Sequence, residues 1–281
     1  MERVNNLILG GGLVGRMIHE CMPDSIILEA KEEHFDKKPN FSFGTNYLWK
    51  DLPCFKTKRV KVVTRVDDEP ASEASVTRYK NKIGKGHERS AQDWGLQFAP
   101  ESEGFLVMAV PYANVHYGQK VVSVDLDSKW VVTQNASYKY ERLFNTLPLP
   151  EFMRMAGLAN AYPLETLFKF KPVFVRVVPI PPEAPLHRAD VIFVNYVSNP
   201  LIEPYRYCDK YAERERHYES LTPIGFPHKR IYPGKIWDDP QVPEIRHELS
   251  QKGVFCYGRY GAWKPNELLH ETYAEVVNER T

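Results

Sequence analysis

The residues with the most specific chemistry stand near the start of the chain. Gly10, Gly12 and Gly15 form a G-x-G-x-x-G pattern directly after the apolar run 4–9. A dinucleotide fold asks for glycine at these places for three reasons. The first makes a tight turn, the second lets a pyrophosphate approach the backbone, and the third lets helix and strand pack closely. Leu13 to about Met22 reads as the following helix, broken by Pro23-Asp24, and Ser25–Glu29 as the second strand of a βαβ unit. Glu29 stands nineteen residues after Gly10. A carboxylate at the end of that strand accepts hydrogen bonds from adenosine ribose hydroxyls and disfavours a 2′-phosphate, while the helix N-terminus turns its N–H groups and positive dipole end to the pyrophosphate. Gly10, Gly11, Gly12, Leu13, Val14, Gly15, Glu29 and Ala30 are the candidate nucleotide-binding residues of this corner. FAD and NAD share the fingerprint, so the spacing alone leaves the cofactor open.

Such a corner must be carried by a sheet with a core around it, and the composition allows one. At 281 residues the chain suffices for one large domain or two interleaved ones. Its 43% hydrophobic and 26% charged content is that of a soluble globular enzyme, and no apolar run approaches the ~20 residues of a membrane helix. Met1 to Asn6 leads almost directly into the first strand, unlike a secretory leader, and the cytoplasm is the expected compartment. A net charge of +1 gives no whole-protein attraction to nucleic acid. Cys21, Cys54, Cys208 and Cys256 contain no C-x-x-C pair and the nine histidines no H-x-x-x-H spacing, so neither a metal site nor a disulfide framework is expected. With no G-x-S-x-G elbow either, a side-chain nucleophile is not expected.

Beyond Glu29 the pattern weakens from Lys31 to about Pro100, which reads as an insertion off the nucleotide-binding sheet. Alternation returns in 120–127 and 129–133, two strands of a hairpin or meander, and 140–148 reads as a strand returning to the first sheet. Residues 167–178 and 190–197, rich in Phe and Val, suit the sheet of a second domain. After an irregular, tyrosine-rich stretch from 200 to 245, residues 254–257 form a last short strand and Ala262 to about Asn278 a final helix.

Four of these segments occur in an order that resembles the FAD-dependent amine oxidase and protoporphyrinogen oxidase superfamily, especially its UDP-galactopyranose mutase-like branch. They are the opening 7–12, the strand 120–124, the exit Leu143-Phe-Asn-Thr-Leu-Pro-Leu-Pro150 and the terminal Tyr257-Gly-Arg-Tyr-Gly-Ala-Trp-Lys264. The resemblance covers both ends and the middle, not residues 31–110. It implies an α/β fold, a Rossmann-like FAD-binding domain of parallel sheet plus β-meander interleaved with a smaller β-rich α+β substrate domain. The expected division is 1–35, 101–150 and 250–281 for FAD, with 36–100 and 151–249 as insertion and substrate domain. It implies FAD as cofactor, Val122 along the adenine, Thr146 near the cofactor, and Gly258, Arg259, Gly261, Ala262 and Trp263 leading to a helix whose N-terminus faces the flavin. A dipole there stabilises the charge of reduced flavin. Trp263 also reads as a core residue.

The segment Tyr205-Arg206-Tyr207 resembles the place where mutase-like proteins set an arginine near flavin and ligand, and these three are the candidate catalytic residues. Arg206 there would pair bidentately with a phosphate or carboxylate; the plainer reading is a surface arginine stacked between tyrosines. The basic runs 56–61 and 78–89 are solvated faces on one reading. On the other, Lys56, Lys58, Arg59, Lys61, Lys80, Lys82, Lys85 and Arg89 make a phosphate-binding rim with Tyr79 or Trp94 stacking on bases, bringing in DNA as a partner. The expected activity is hydride removal from a carbon bearing an amine, on a small-molecule or nucleotide-linked substrate and away from any membrane. The alternatives are a nucleotide-sugar mutase, an oxidase of a modified base in DNA, and a non-catalytic flavin-binding partner.

Overall fold

A computed structural model describes residues 2–32, 47–83, 95, 97–109, 114–181, 190–210, 214–225 and 227–279. The βαβ start folds as its pattern dictates: β1 (Glu2–Leu9), α1 (Leu13–Cys21) and β2 (Ser25–Leu28), the strands pairing in parallel. On the other side of β1 lies β8 (Ser137–Asn145), also parallel. The far edge of β8 is shared. Its first half pairs antiparallel with β7 (Trp130–Thr133), which pairs with β6 (Val121–Asp125), and its last three residues pair in parallel with β14 (Val254–Cys256). A short β5 (Val115–His116) extends the sheet beyond β2, giving the order β5-β2-β1-β8-β7-β6.

The alternation of β1 commits both faces to a core. Leu7 and Leu9 turn to one cluster with α3 (Leu149–Met155), α4 (Leu164–Leu167) and α5 (Val242–Gln251), whereas Ile8 turns to another with α1 and α7 (Leu269–Asn278). All three side chains are fully buried, as a parallel sheet covered on both faces requires, at about 1.5–3 kcal/mol each.

The second sheet has the order β13-β9-β12-β11-β10-β3-β4. These are β13 (Lys229–Ile236), β9 (Phe170–Pro179), β12 (Glu215–Ser220), β11 (Pro204–Lys210), β10 (Val191–Tyr196), β3 (Lys56–Val66) and β4 (Glu101–Ala109). Only β10 and β3 run in parallel. Helix α2 (Glu73–Ile83) covers it through Tyr79 and Ile83.

Three expectations are corrected. The strand β4 at 101–109 joins the second sheet beside β3, which pairs with β10 there, rather than the first sheet. The stretch 200–245 contains β11, β12 and β13. The last helix starts at Leu269, not Ala262, because Trp263 (φ +52°) and Asn266 (φ +64°) turn the backbone left-handed after the short α6 (Gly258–Gly261). The four cysteines are buried and form no disulfide among the described residues, and burial pushes the thiols of Cys54, Cys208 and Cys256 up to about 12. No helix among the described residues is long and apolar enough to cross a membrane.

Candidate functional site

Strand β1 delivers the corner. Gly10 follows it with φ +99°, which L side chains rarely adopt, and donates its N–H to the Leu28 carbonyl at 2.9 Å. Gly15 faces it across the turn, where a Cβ would lie 2.0 Å from the Gly10 carbonyl oxygen. Gly12 is exposed, and a Cβ on it would meet no heavy atom within 4 Å. Thus Gly10 and Gly15 make the turn and its packing, and Gly12 leaves an open approach at the N-terminus of α1, whose first N–H groups have no partner within the helix.

Glu29 is held beside that opening. Its Oε2 accepts from the Gly11 N–H at 2.9 Å and its Oε1 from the Lys31 N–H at 2.9 Å. One backbone bond per oxygen orients the carboxylate and leaves lone pairs for hydroxyl donors. Arg16, buried on α1, braces the turn by donating Nε to the Gly11 carbonyl at 3.2 Å and Nη2 to the Tyr117 hydroxyl at 2.9 Å. The backbone beside Glu29 is that of Gly118 and Gln119, whose N–H groups donate to the Lys31 and Glu29 carbonyls at 3.0 and 2.8 Å. Val122, expected there, is instead on β6, with β1, β8 and β7 between it and β2, and is 54% exposed. Ala30 is exposed next to Glu29.

Beside the start of α1 a cavity of about 240 Å³ lies between the two sheets. Leu13, Val14 and Thr146 line it from the first sheet, Val194, Tyr196 and Arg206 from the second, and Gly258, Arg259 and Glu267 from the last connection. Thr146 Oγ1 donates to the Leu9 carbonyl at 2.7 Å, so the end of β8 is tied to the turn. Gly258, at φ +76°, is pressed against Val14, and a Cβ on Gly261 would lie 2.5 Å from the Asn145 carbonyl oxygen. Ala262 and Trp263 lie in the core. Trp263 is fully buried, donates Nε1 to the Trp237 carbonyl at 3.1 Å and packs edge-on to Phe168 at 5.2 Å, outside the cavity.

An irregularity in β11 between Pro204 and Arg206 brings Tyr205 and Arg206 to the same buried acid, and alternation beyond it turns Tyr207 away. Arg206 reaches the cavity and pairs with buried Glu219, which also accepts from the Tyr205 hydroxyl at 2.8 Å. Burial alone would raise the Glu219 carboxyl; the Arg206 charge and these hydrogen bonds outweigh it and hold the carboxyl below its usual range. Tyr205 is buried in the core of the second sheet. Tyr207 turns to the opposite face, where its hydroxyl donates to Asp68 and the Arg216 guanidinium lies 4.3 Å from its ring centre. Neither tyrosine lines the cavity.

Two groups were not found by sequence reasoning. A charged residue on the apolar face of α1 was the available signal for Arg16. For Glu267 there was none. Its side chain is 4% exposed, neither carboxylate oxygen has a hydrogen-bond partner among the described residues, and Lys264 Nζ lies 3.8 Å away. Burial raises this carboxyl to about 7.

Three residues of the basic runs are engaged within the protein. Arg59 pairs with Glu103, Lys61 with Glu101 at 2.7 Å, and Lys82 Nζ donates to the carbonyls of Asn199, Ile202 and Pro204 at 2.6–2.9 Å. Tyr79 is buried against Phe98 and Tyr196, so its ring is not open to a base. Lys85, Arg89 and Trp94 lie outside the described residues.

Corner, parallel sheet and meander together make a Rossmann-like α/β architecture, and the open approach at Gly12 with the oriented Glu29 fits the adenosine diphosphate half of FAD. Neither a family model nor a curated protein matches the sequence. Among solved structures the chain is similar to a reduced UDP-galactopyranose mutase (TM-score 0.68, 12% identity, 99% of this chain and 93% of that one). It is also similar to a CLA-producing fatty acid isomerase from P. acnes (0.61, 9%, 98% and 98%) and to a putative protoporphyrinogen oxidase from Exiguobacterium sp. 255-15 (0.52, 8%, 99% and 98%). The chain therefore shares the fold of these three structures.

Proposed function

We propose that this chain is an FAD-dependent oxidoreductase that oxidises a C–N bond of an amine. One observation carries the reading: Leu13 and Val14, the first helical residues after the glycine corner, and Thr146, tied to the Leu9 carbonyl, line a cavity that reaches Arg206 and Glu267. FAD bound there supplies a two-electron acceptor. The chain's part is binding and positioning. Glu29 receives ribose hydroxyls, the N-terminus of α1 faces the diphosphate, and Arg16 keeps the turn in shape. Tyr47, Trp49, Tyr196, Tyr257 and Tyr260 give the cavity an apolar wall that excludes water and orients a small substrate. The test is the visible spectrum of purified protein after addition of FAD, then anaerobic titration with primary and secondary amines. Retained flavin bands that bleach with an amine support the reading; colourless protein, or bound flavin that no amine reduces, overturns it.

A second reading, rearrangement of a nucleotide sugar, is favoured by Arg206 and Arg259 lining the same cavity, since a diphosphate would call for two such guanidinium groups. Turnover that appears only after prior reduction of the flavin with dithionite separates it from the first.

A further inference from the structure

Glu267 differs from the other buried acids in that its nearest cation, Lys264 at 3.8 Å, is shared with a second carboxylate. Buried Glu219 has Arg206, and buried Asp209 has Arg216. The second carboxylate on Lys264 is that of Glu275. Arg259 donates to the backbone carbonyl of Glu267 at 3.2 Å, not to its carboxyl. Beside burial, Lys264 pulls the carboxyl pKa down and Glu275 on α7 pushes it up, with smaller downward pulls from the Thr272 hydroxyl on α7 and from Arg246 on α5. His270 on α7, and Arg206 and Tyr196 across the cavity, complete the polar surroundings. A carboxyl buried this deeply, with its nearest cation shared with a second carboxylate, is costly when ionised, and burial favours its neutral form. It lines a cavity walled by aromatic rings, whose faces attract cations.

We propose that Glu267 is the cavity's proton-exchanging group and binds a protonated amine by giving its own proton to solvent, becoming the carboxylate counter-ion of the ammonium. The inference rests on the amine reading above and names the group that would recognise that substrate. The exchange balances: one proton leaves the carboxyl through the cavity mouth as one cation enters, and the net charge of the cavity is unchanged. The carboxyl's rise to about 7 accords with a neutral resting form that a cation can discharge. A neutral alcohol of the same size would leave the proton in place.

The test is a carbon-13 NMR titration of the glutamate-labelled full chain, with and without FAD, using propylammonium chloride as probe and propanol as control. Glu267→Gln assigns the signal. A carboxyl titrating near 7, absent from the variant and moved down by about one pH unit or more with saturating propylammonium but not with propanol, is the expected result. No variant-sensitive carboxyl titrating above about pH 6, or a midpoint that propylammonium leaves in place, overturns the inference. Retained signal dispersion in the variant shows that it folds. Bound flavin with an unmoved midpoint defeats this inference alone, whereas failure to bind FAD defeats the cofactor reading and leaves the titration of the flavin-free chain to judge Glu267.

Discussion

The glycines of the corner predict opposite outcomes for two otherwise identical substitutions. At Gly12 the backbone is extended (φ −71°, ψ −173°), a conformation open to any residue, and a Cβ meets no heavy atom within 4 Å. Gly12→Ala thus adds no clash. The weaker N-cap and the smaller entropy of the unfolded chain act in opposite directions, and the flavin-free protein should stay within about 1 kcal/mol of the native. At Gly15 a Cβ falls 2.0 Å from the Gly10 carbonyl oxygen, and backbone cannot step aside as a flexible side chain would. Gly15→Ala should cost about 1–3 kcal/mol or more in the flavin-free chain. FAD binding reverses the contrast, because the methyl at position 12 occupies the space where a diphosphate meets the N–H groups of α1. Losing one charge-assisted hydrogen bond is worth about 1.5–3 kcal/mol, or roughly a ten- to hundredfold weaker affinity. Chemical denaturation of flavin-free protein gives the first quantity and quenching of flavin fluorescence the second. A Gly12→Ala protein that binds FAD as tightly as the native refutes the placement of the diphosphate. One that unfolds as readily as Gly15→Ala refutes the geometry itself.

Other expectations follow from the same contacts. Glu267 has a folded-state carboxyl raised to about 7 from 4.5, so the native chain holds a proton that the unfolded chain has lost across that window. Its stabilising contribution is complete below 4.5 and is lost as pH rises through 7; relative to Glu267→Gln, denaturation should show the native losing about 3 kcal/mol between these values, and parallel pH profiles would defeat the argument. Glu29→Ala removes the acceptor fixed by Gly11 and Lys31, and equilibrium titration should find FAD bound at least about tenfold more weakly while riboflavin binding is unchanged. Glu219→Ala leaves Arg206 buried without its counter-ion and the Tyr205 hydroxyl without its acceptor, and should cost about 3–5 kcal/mol by thermal denaturation; a negligible change would show that the pair is not desolvated.

The βαβ corner was legible because everything in it is local. Gly10, Gly12, Gly15 and Glu29 lie within one strand–helix–strand unit, so backbone dihedrals and short-range sterics decide their places, and the meander 121–133 is a neighbouring-strand pairing of the same kind. What lay beyond sequence alone depends on partners far away in the chain. The basic run 56–61 looked like a solvated insertion, yet β3 is interior to a sheet because β10, more than a hundred residues later, pairs with it. Arg206 enters the cavity and Tyr207 does not because β11 alternates, and only the packing of the sheets decides which face meets the corner. Glu267 carries no local signal at all: its burial comes from left-handed turns at Trp263 and Asn266 that fold the final connection back over α1 and β8. Short-range geometry is written residue by residue, whereas desolvation is a property of the assembled neighbours, and it is desolvation that raises this carboxyl.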